Sequence, residues 1–481
     1  MGRNIVICSD GTGNTAIKGR GSNVYKLFEA IDLNSDVEQI TIYDDGVGTS
    51  RFRPFKIMGG AFGWGVKRNV RQLYTELCRV YQPGDKIYLF GFSRGAFTVR
   101  SLAALINAIG IIDNNKKCSD AVNLKKIVFQ AYREYRYSKC ATLEENVVTV
   151  LKQFDRYKTI GINDFRNEYC LLDQETNVPA DIPIQFIGAW DTVCAVGFPI
   201  ESVANFFNKY IYRFKLANHI LADKVAFARH ALSIDDERAA FHPLMWDEPE
   251  EKKDEDDPRI RQIWFAGVHA NVGGGYPKQG ISHEALSWMI VEAKKYGLHF
   301  NEKEVERIEQ HKNVYDKLYD SRSGLGYLYR YRPRDINKIC TTHRIEPCVH
   351  SSAIDRLKRG TEEYAPGNLP SGAKIEGKSK WDEALTLIPD SSSAPSLLDS
   401  VGKWIRVRKI CHFFVLITFF YILIEYVPEY LCTDVQILEI VFKILCNLWI
   451  VIILALSFIV DHKAQKRIDQ TFANFWHKKR L

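Results

Sequence analysis

Apolar and polar residues change their spacing repeatedly along the chain, and each change marks an element. Residues 4–8 form a short β-branched run that ends at Ser9-Asp10-Gly11, the pattern of a buried strand entering a turn. Behind Ser22, Val24, Leu27, Phe28 and Ile31 recur at i, i+3, i+4 and i+7, which predicts a capped helix. A second strand is expected at 39–43, before the turn Asp44-Asp45-Gly46. Val66, Val70, Leu73, Leu77 and Val80 line one face of another helix, closed by Pro83-Gly84, and residues 86–90 (KIYLF) read as a third strand. Residues 94–109 have helix composition. Strands at 184–189 and 262–265 then alternate with helical stretches expected around 219–232 and 284–296. Strand and helix in alternation predict an α/β fold with a mostly parallel sheet. Residues 113–180 break the rhythm with Lys- and Tyr-rich sequence, expected to form a helical insertion or lid.

The tail has a different pattern. Residues 410–427 and 440–460 are two nearly unbroken apolar runs, each close to the ~20 residues that cross a bilayer. Lys403, Arg406, Arg408 and Lys409 precede the pair, Lys463, Lys466 and Arg467 follow it, and the short stretch between carries Glu429 and Asp434 but no base. Because positive flanks stay inside, this predicts a two-pass hairpin in the cytoplasmic membrane with both chain ends, and hence the N-terminal folded part, in the cytoplasm. Charge agrees: of a net +7, the last 81 residues carry +5. The N-terminus reaches Asp10 too soon for a secretory signal, which points the same way. Rising Gly, Ser and Pro content sets the expected boundaries at 1–370 for the folded domain, 371–400 for a linker and 401–481 for the anchor.

Composition narrows the class. With 46% hydrophobic and 26% charged residues in 481, the chain is globular, not disordered or collagen-like. Eleven cysteines, an odd number without a C-x-x-C pair, read as reduced thiols. No His/Cys cluster has metal-ligand spacing and no P-loop occurs, so no metal, cofactor or nucleic-acid partner is expected. Gly11-Thr12-Gly13-Asn14-Thr15-Ala16 does fit a dinucleotide loop after a strand; Asp44-Asp45, the acidic pair that reading needs, fits the rim of a catalytic site equally well.

The chemistry centres on Gly91-Phe92-Ser93-Arg94-Gly95, a G-x-S-x-G between the third strand and a helix, the context of a nucleophile elbow. A side chain on so tight a turn crowds the backbone, which requires residues without a β-carbon on either side. The turn also presents the Arg94 backbone N–H as an oxyanion donor, with Gly11 or Thr12 in the neighbouring loop expected to supply a second. A serine needs a histidine base, and the histidine a carboxylate, downstream in the order Ser, Asp, His. Asp191 follows strand 184–189 and His269 follows strand 262–265, so both sit where open parallel sheets gather their sites. Asp235 and Asp236 are competing carboxylates, and His242 and His283 competing imidazoles.

SDGTGN, GFSRGA, GAWDTVCAVG and WFAGVHANVGGGY, in that order, together with His350-Ser351-Ser352 and the stretch from Tyr364 to Pro370, resemble the α/β-hydrolase domain of type VI secretion phospholipase effectors. The resemblance covers roughly residues 1–370. It implies a serine esterase of phospholipid acyl esters, an antibacterial or defence effector with Ser93, Asp191 and His269 at the triad positions, and an immunity or secretion-spike protein as partner. In one departure, Asn271 stands where the pattern has an aspartate two residues after the histidine. A thioesterase or small-ester hydrolase, and a non-catalytic membrane-tethered interaction protein, are the alternative readings; the oligomeric state is open.

Overall fold

The computed structural model describes residues 2–11, 21–46, 62–114, 120–140, 160–193, 219–248, 258–370, 372–376, 397–432 and 447–479. Eight strands form one sheet: β1 (Asn4–Ser9), β2 (Gln39–Asp44), β3 (Lys86–Phe92), β4 (Ile184–Trp190), β5 (Val225–Ser233), β6 (Ile260–Phe265), β7 (Cys348–His350) and β8 (Lys374–Glu376). Their order is β2-β1-β3-β4-β5-β6-β7-β8, and every pairing is parallel. The order reverses between β1 and β3, so their carboxyl ends diverge around a crevice, the place where such sheets bind ligands.

Both faces are covered, as a parallel sheet requires. Ile5 and Ile7 of β1, with Ile87 and Leu89 of β3, face α2 (Phe62–Val80) and α3 (Arg94–Ile109). The alternate residues Val6, Cys8, Tyr88 and Phe90 face α1 (Asn23–Ala30) on the other side. Ser22 caps α1 as expected, its side chain accepting the Tyr25 amide. In the insertion, α4 (Ala121–Cys140) and α5 (Ile162–Tyr169) join the α2–α3 layer through Leu124, Val128, Ala131 and Phe165. They form an outer wall; residues 141–159, where the rest of the expected lid falls, lie outside the described residues.

Two expectations change. Residues 219–232 are not a helix: Val225–Ser233 is β5, in the middle of the sheet. Its Ala, Arg and His content looks helical, but Arg229 and His230 are fully buried and held by tertiary partners, Arg229 by Glu292 and the Tyr296 hydroxyl, His230 by the Thr192 amide. Packing overrides propensity here. The sheet also runs past residue 370, because β8 adds a strand at Lys374–Glu376.

After α6 (His269–Gly273), α7 (Gly280–Lys295), α8 (Glu302–Gln310), α9 (Ile336–Thr342) and α10 (Ser351–Arg359) come two long helices, α11 (Gly402–Cys432) and α12 (Leu448–Lys479). They pack antiparallel: Arg408 pairs with Asp461 at 3.0 Å, while Tyr421 meets Trp449. Among the described residues one helix, Leu448–Lys478, is long and apolar enough to cross a membrane. Residues 440–446 of the expected second run lie outside them. The tail is no free appendage. Val401 and Ile468 pack on Tyr331, Trp476 donates its indole N–H to Pro366 O at 2.8 Å, and Arg408 lies 3.5 Å from Glu237.

Candidate active site

β3 ends at Phe92, and Ser93 takes φ 59° and ψ −120° before α3 begins. That backbone region is costly for any residue with a β-carbon, on the order of 1–3 kcal/mol, and persists only where the surroundings impose it. Here they do. A β-carbon on Gly95 would lie 2.0 Å from Ser9 O, and one on Gly91 would lie 2.6 Å from the Ala96 amide nitrogen. The glycines let α3 start directly against the tip of β1, with Ser93 at the turn between β3 and α3. The Ser93 amide is anchored to Trp190 O at 3.0 Å, which ties the turn to the end of β4.

Asp191 follows β4, also at positive φ (38°), and is fully buried. One of its oxygens lies 2.6 Å from His269 Nδ1. A carboxylate only accepts, so Nδ1 carries the proton and Nε2 is left with a free lone pair. The imidazole lies between two rings, Phe92 at 4.6 Å and Phe241 edge-on at 5.0 Å, which brings it beside the residue preceding Ser93. No hydrogen bond joins the Ser93 hydroxyl to His269 among the described residues. Burial lowers the His269 pKa below its ordinary value, and Asp191 offsets only part of that.

The competing residues have other partners. Asp236 accepts the His269 backbone N–H at 3.2 Å and pairs with Arg238 at 2.6 Å, so it holds the loop and not the ring. Asp235 accepts the Gly267 amide and the Tyr364 hydroxyl. His242 and His283 point to the backbone carbonyls of Arg332 and His311. Of the expected oxyanion donors, Arg94 opens α3 directly after Ser93. The Gly11 amide is already bonded to the Asp10 carboxylate, and Thr12 lies outside the described residues.

The sequence profile of the T6SS phospholipase effector Tle1-like catalytic domain matches residues 3–292. The chain belongs to this family. An uncharacterized protein of Saccharomyces cerevisiae is 24% identical over 262 residues, which is 50% of this chain and 32% of that protein, so the match spans about a third of the length of this curated relative. A crystal structure of an uncharacterized protein from Pseudomonas aeruginosa matches 64% of this chain and 48% of its own, at 18% identity and a TM-score of 0.37.

The Tle1-like profile ends before a residue that sequence reading also missed. Arg334 is fully buried and forks onto both Asp191 oxygens, at 2.7 and 2.8 Å, while donating to the carbonyls of Ser233 and Phe241. Burial alone would raise the Asp191 carboxyl; Arg334 and His269 outweigh it and hold the group well below the usual carboxylate range. The Ser233 amide adds a third donor at 3.0 Å. One arginine among 65 basic residues carries no local signature, since its role comes from a contact 143 residues away. The departure at Asn271 has a local explanation. Its amide donates to Lys317 O while its oxygen accepts the Tyr319 amide, and an ionised aspartate would lack the donor.

Proposed function

We propose that this Tle1-like chain is a membrane-anchored serine hydrolase that cleaves phospholipid acyl esters. The observation that carries the reading is the strained Ser93 at the tip of β3 beside a buried Asp191–His269 couple at the tips of β4 and β6. In this mechanism His269 Nε2 takes the Ser93 proton as the hydroxyl attacks the acyl carbonyl, and the imidazolium that forms is stabilised by Asp191. The Arg94 backbone N–H faces the developing oxyanion. Collapse expels the lysolipid alcohol, which takes the proton back from His269; water activated by the same imidazole then releases the fatty acid. The lowered pKa of His269 favours the neutral base at neutral pH. The contact between Ser93 and His269 closes when substrate docks, as catalytic hydrogen bonds do in many unliganded enzymes.

Membrane anchoring is supported by the side chains along α11 and α12. Phe413, Ile417, Leu448, Ile452, Leu456 and Ile459 are each about half exposed, an apolar surface too large for water to tolerate without a partner. A phospholipase effector acts in a target cell's membrane, with an immunity or spike protein as natural partner; two passes fit the antiparallel pair. The test is direct. Purified protein is treated with a fluorophosphonate and assayed on phospholipid vesicles and on a short-chain soluble ester. Labelling at Ser93 with fatty-acid release from vesicles is expected. Turnover of the soluble ester alone would assign a small-ester hydrolase, and absent labelling a non-catalytic protein.

A further inference from the structure

Away from Ser93, the folded chain brings His219, Asp247 and His343 together from three separate segments. His219 lies ahead of β5, Asp247 follows the loop after β5 whose Leu244 amide bonds Thr192 O, and His343 caps the C-terminus of α9. One ligand atom from each lies within 4.8 Å of the other two. His343 Nδ1 is 2.7 Å from an Asp247 oxygen, and the two imidazoles are 4.5 Å apart between centroids. We propose that these three side chains form a binding site for one divalent transition-metal cation of the Zn2+ class.

Two imidazoles and one carboxylate are the donor set that Zn2+ accepts, with a fourth position left for water. His219 Nδ1 is 3.2 Å from Met245 O, and because a carbonyl only accepts, that nitrogen carries the proton and Nε2 keeps the lone pair. The Asp247 amide donates back to His219 O, which locks the two segments together. Ligands at ~2.0–2.1 Å from a tetrahedral cation stand roughly 3.3 Å apart, so the 2.7 Å pair must open and no other pair need close by more than about 1.5 Å. All three residues are half-buried at the surface, where side chains make such adjustments and a cation can enter. On binding, the neutral imidazole of His343 changes tautomer: its Nδ1 proton is released and Nε2 takes one up from solvent, so the freed Nδ1 lone pair forms the metal–nitrogen bond while Asp247 binds through its carboxylate.

The site has a structural purpose. His343 ends the helix that begins just after Arg334, and Leu244, three residues before Asp247, donates its amide to Thr192 O at 2.9 Å. Both arms of the clasp therefore lead to the frame that holds Asp191. Sequence reading found no metal spacing because the ligands are 28 and 96 residues apart.

The experiment uses the full-length protein in detergent, stripped with a chelator, and titrated with Co2+ followed by Zn2+. One equivalent of Co2+ with visible ligand-field bands, displaced by Zn2+ and accompanied by a higher thermal midpoint, is expected. Asp247→Asn, whose side chain is 40% exposed and so dispensable for folding, and His343→Gln should each weaken binding at least about tenfold. Lack of stoichiometric binding by the wild-type chain would overturn the site, whatever the variants do. Equal affinity in wild type and both variants would do the same, by assigning the cation to other side chains.

Discussion

Replacing Ser93 with alanine is expected to cost at least about 10⁴-fold in vesicle hydrolysis while leaving the fold intact, because the hydroxyl fills little space. Ser93→Gly should be equally inactive yet more stable than Ser93→Ala by about 1 kcal/mol, since only glycine relaxes at φ 59°. Chemical denaturation of the two variants reads that difference. Asp191→Asn should approach the serine loss, and Asp236→Asn should fall well short of it; the reverse ranking in kcat/KM would mean that the wrong carboxylate has been placed against the base. Arg334→Gln tests the residue behind Asp191. Asp191 is depressed in the fold, so its stabilisation is complete above the unfolded value of roughly 3.9 and is lost only as pH falls through the folded one. Without Arg334 that loss moves to higher pH, carrying the acid limb of activity upward, and the broken buried pair costs about 3–5 kcal/mol.

At the scale of elements, β1, β3, β4 and β6 were legible because each is a short apolar run bounded by turn residues, and the triad candidates followed from their ends. β5 was not, because its Arg229 and His230 are satisfied by contacts that no local pattern encodes, Glu292 on α7 among them. Gly91 and Gly95 were legible in role, and the 2.0 Å approach to Ser9 O shows why. Gly95→Ala should force α3 away from β1 and lower stability by more than about 4 kcal/mol, which the urea midpoint would reveal. The turn after β5 has its own titration. Burial pushes Asp235 up to about 6 and Glu237 up to about 7, against the pull of nearby arginines. Raised carboxyls contribute stability that is fully present below their unfolded values and lost as pH rises through the folded ones. The thermal midpoint should therefore climb as pH falls from about 7.5 toward about 5, and the slope should flatten in Asp235→Asn and Glu237→Gln.

For the whole molecule, the apolar stretch of α12 was legible from its length, whereas the way the tail seats on the folded domain was not, because its contacts are long-range. Deleting residues 401–481 removes Arg408 from Glu237 and uncovers Tyr331 and the Pro366 carbonyl. The truncated chain should still turn over a water-soluble ester, at a lower melting temperature, and lose most of its rate on bilayers as the local concentration of lipid disappears.

α12 continues without a break from its apolar stretch through Asp461 to Trp476, where it is bolted to Pro366. Sixteen residues of helix between Val460 and Trp476 make a strut of about 24 Å, too stiff to let the catalytic part swing freely. Under the proposed anchoring, an enzyme mounted in this way would not desorb between turnovers and would patrol one vesicle in two dimensions. Its progress curve should be a burst that exhausts the vesicles bearing an enzyme and then stops, with an amplitude set by enzyme-to-vesicle ratio and not by total lipid.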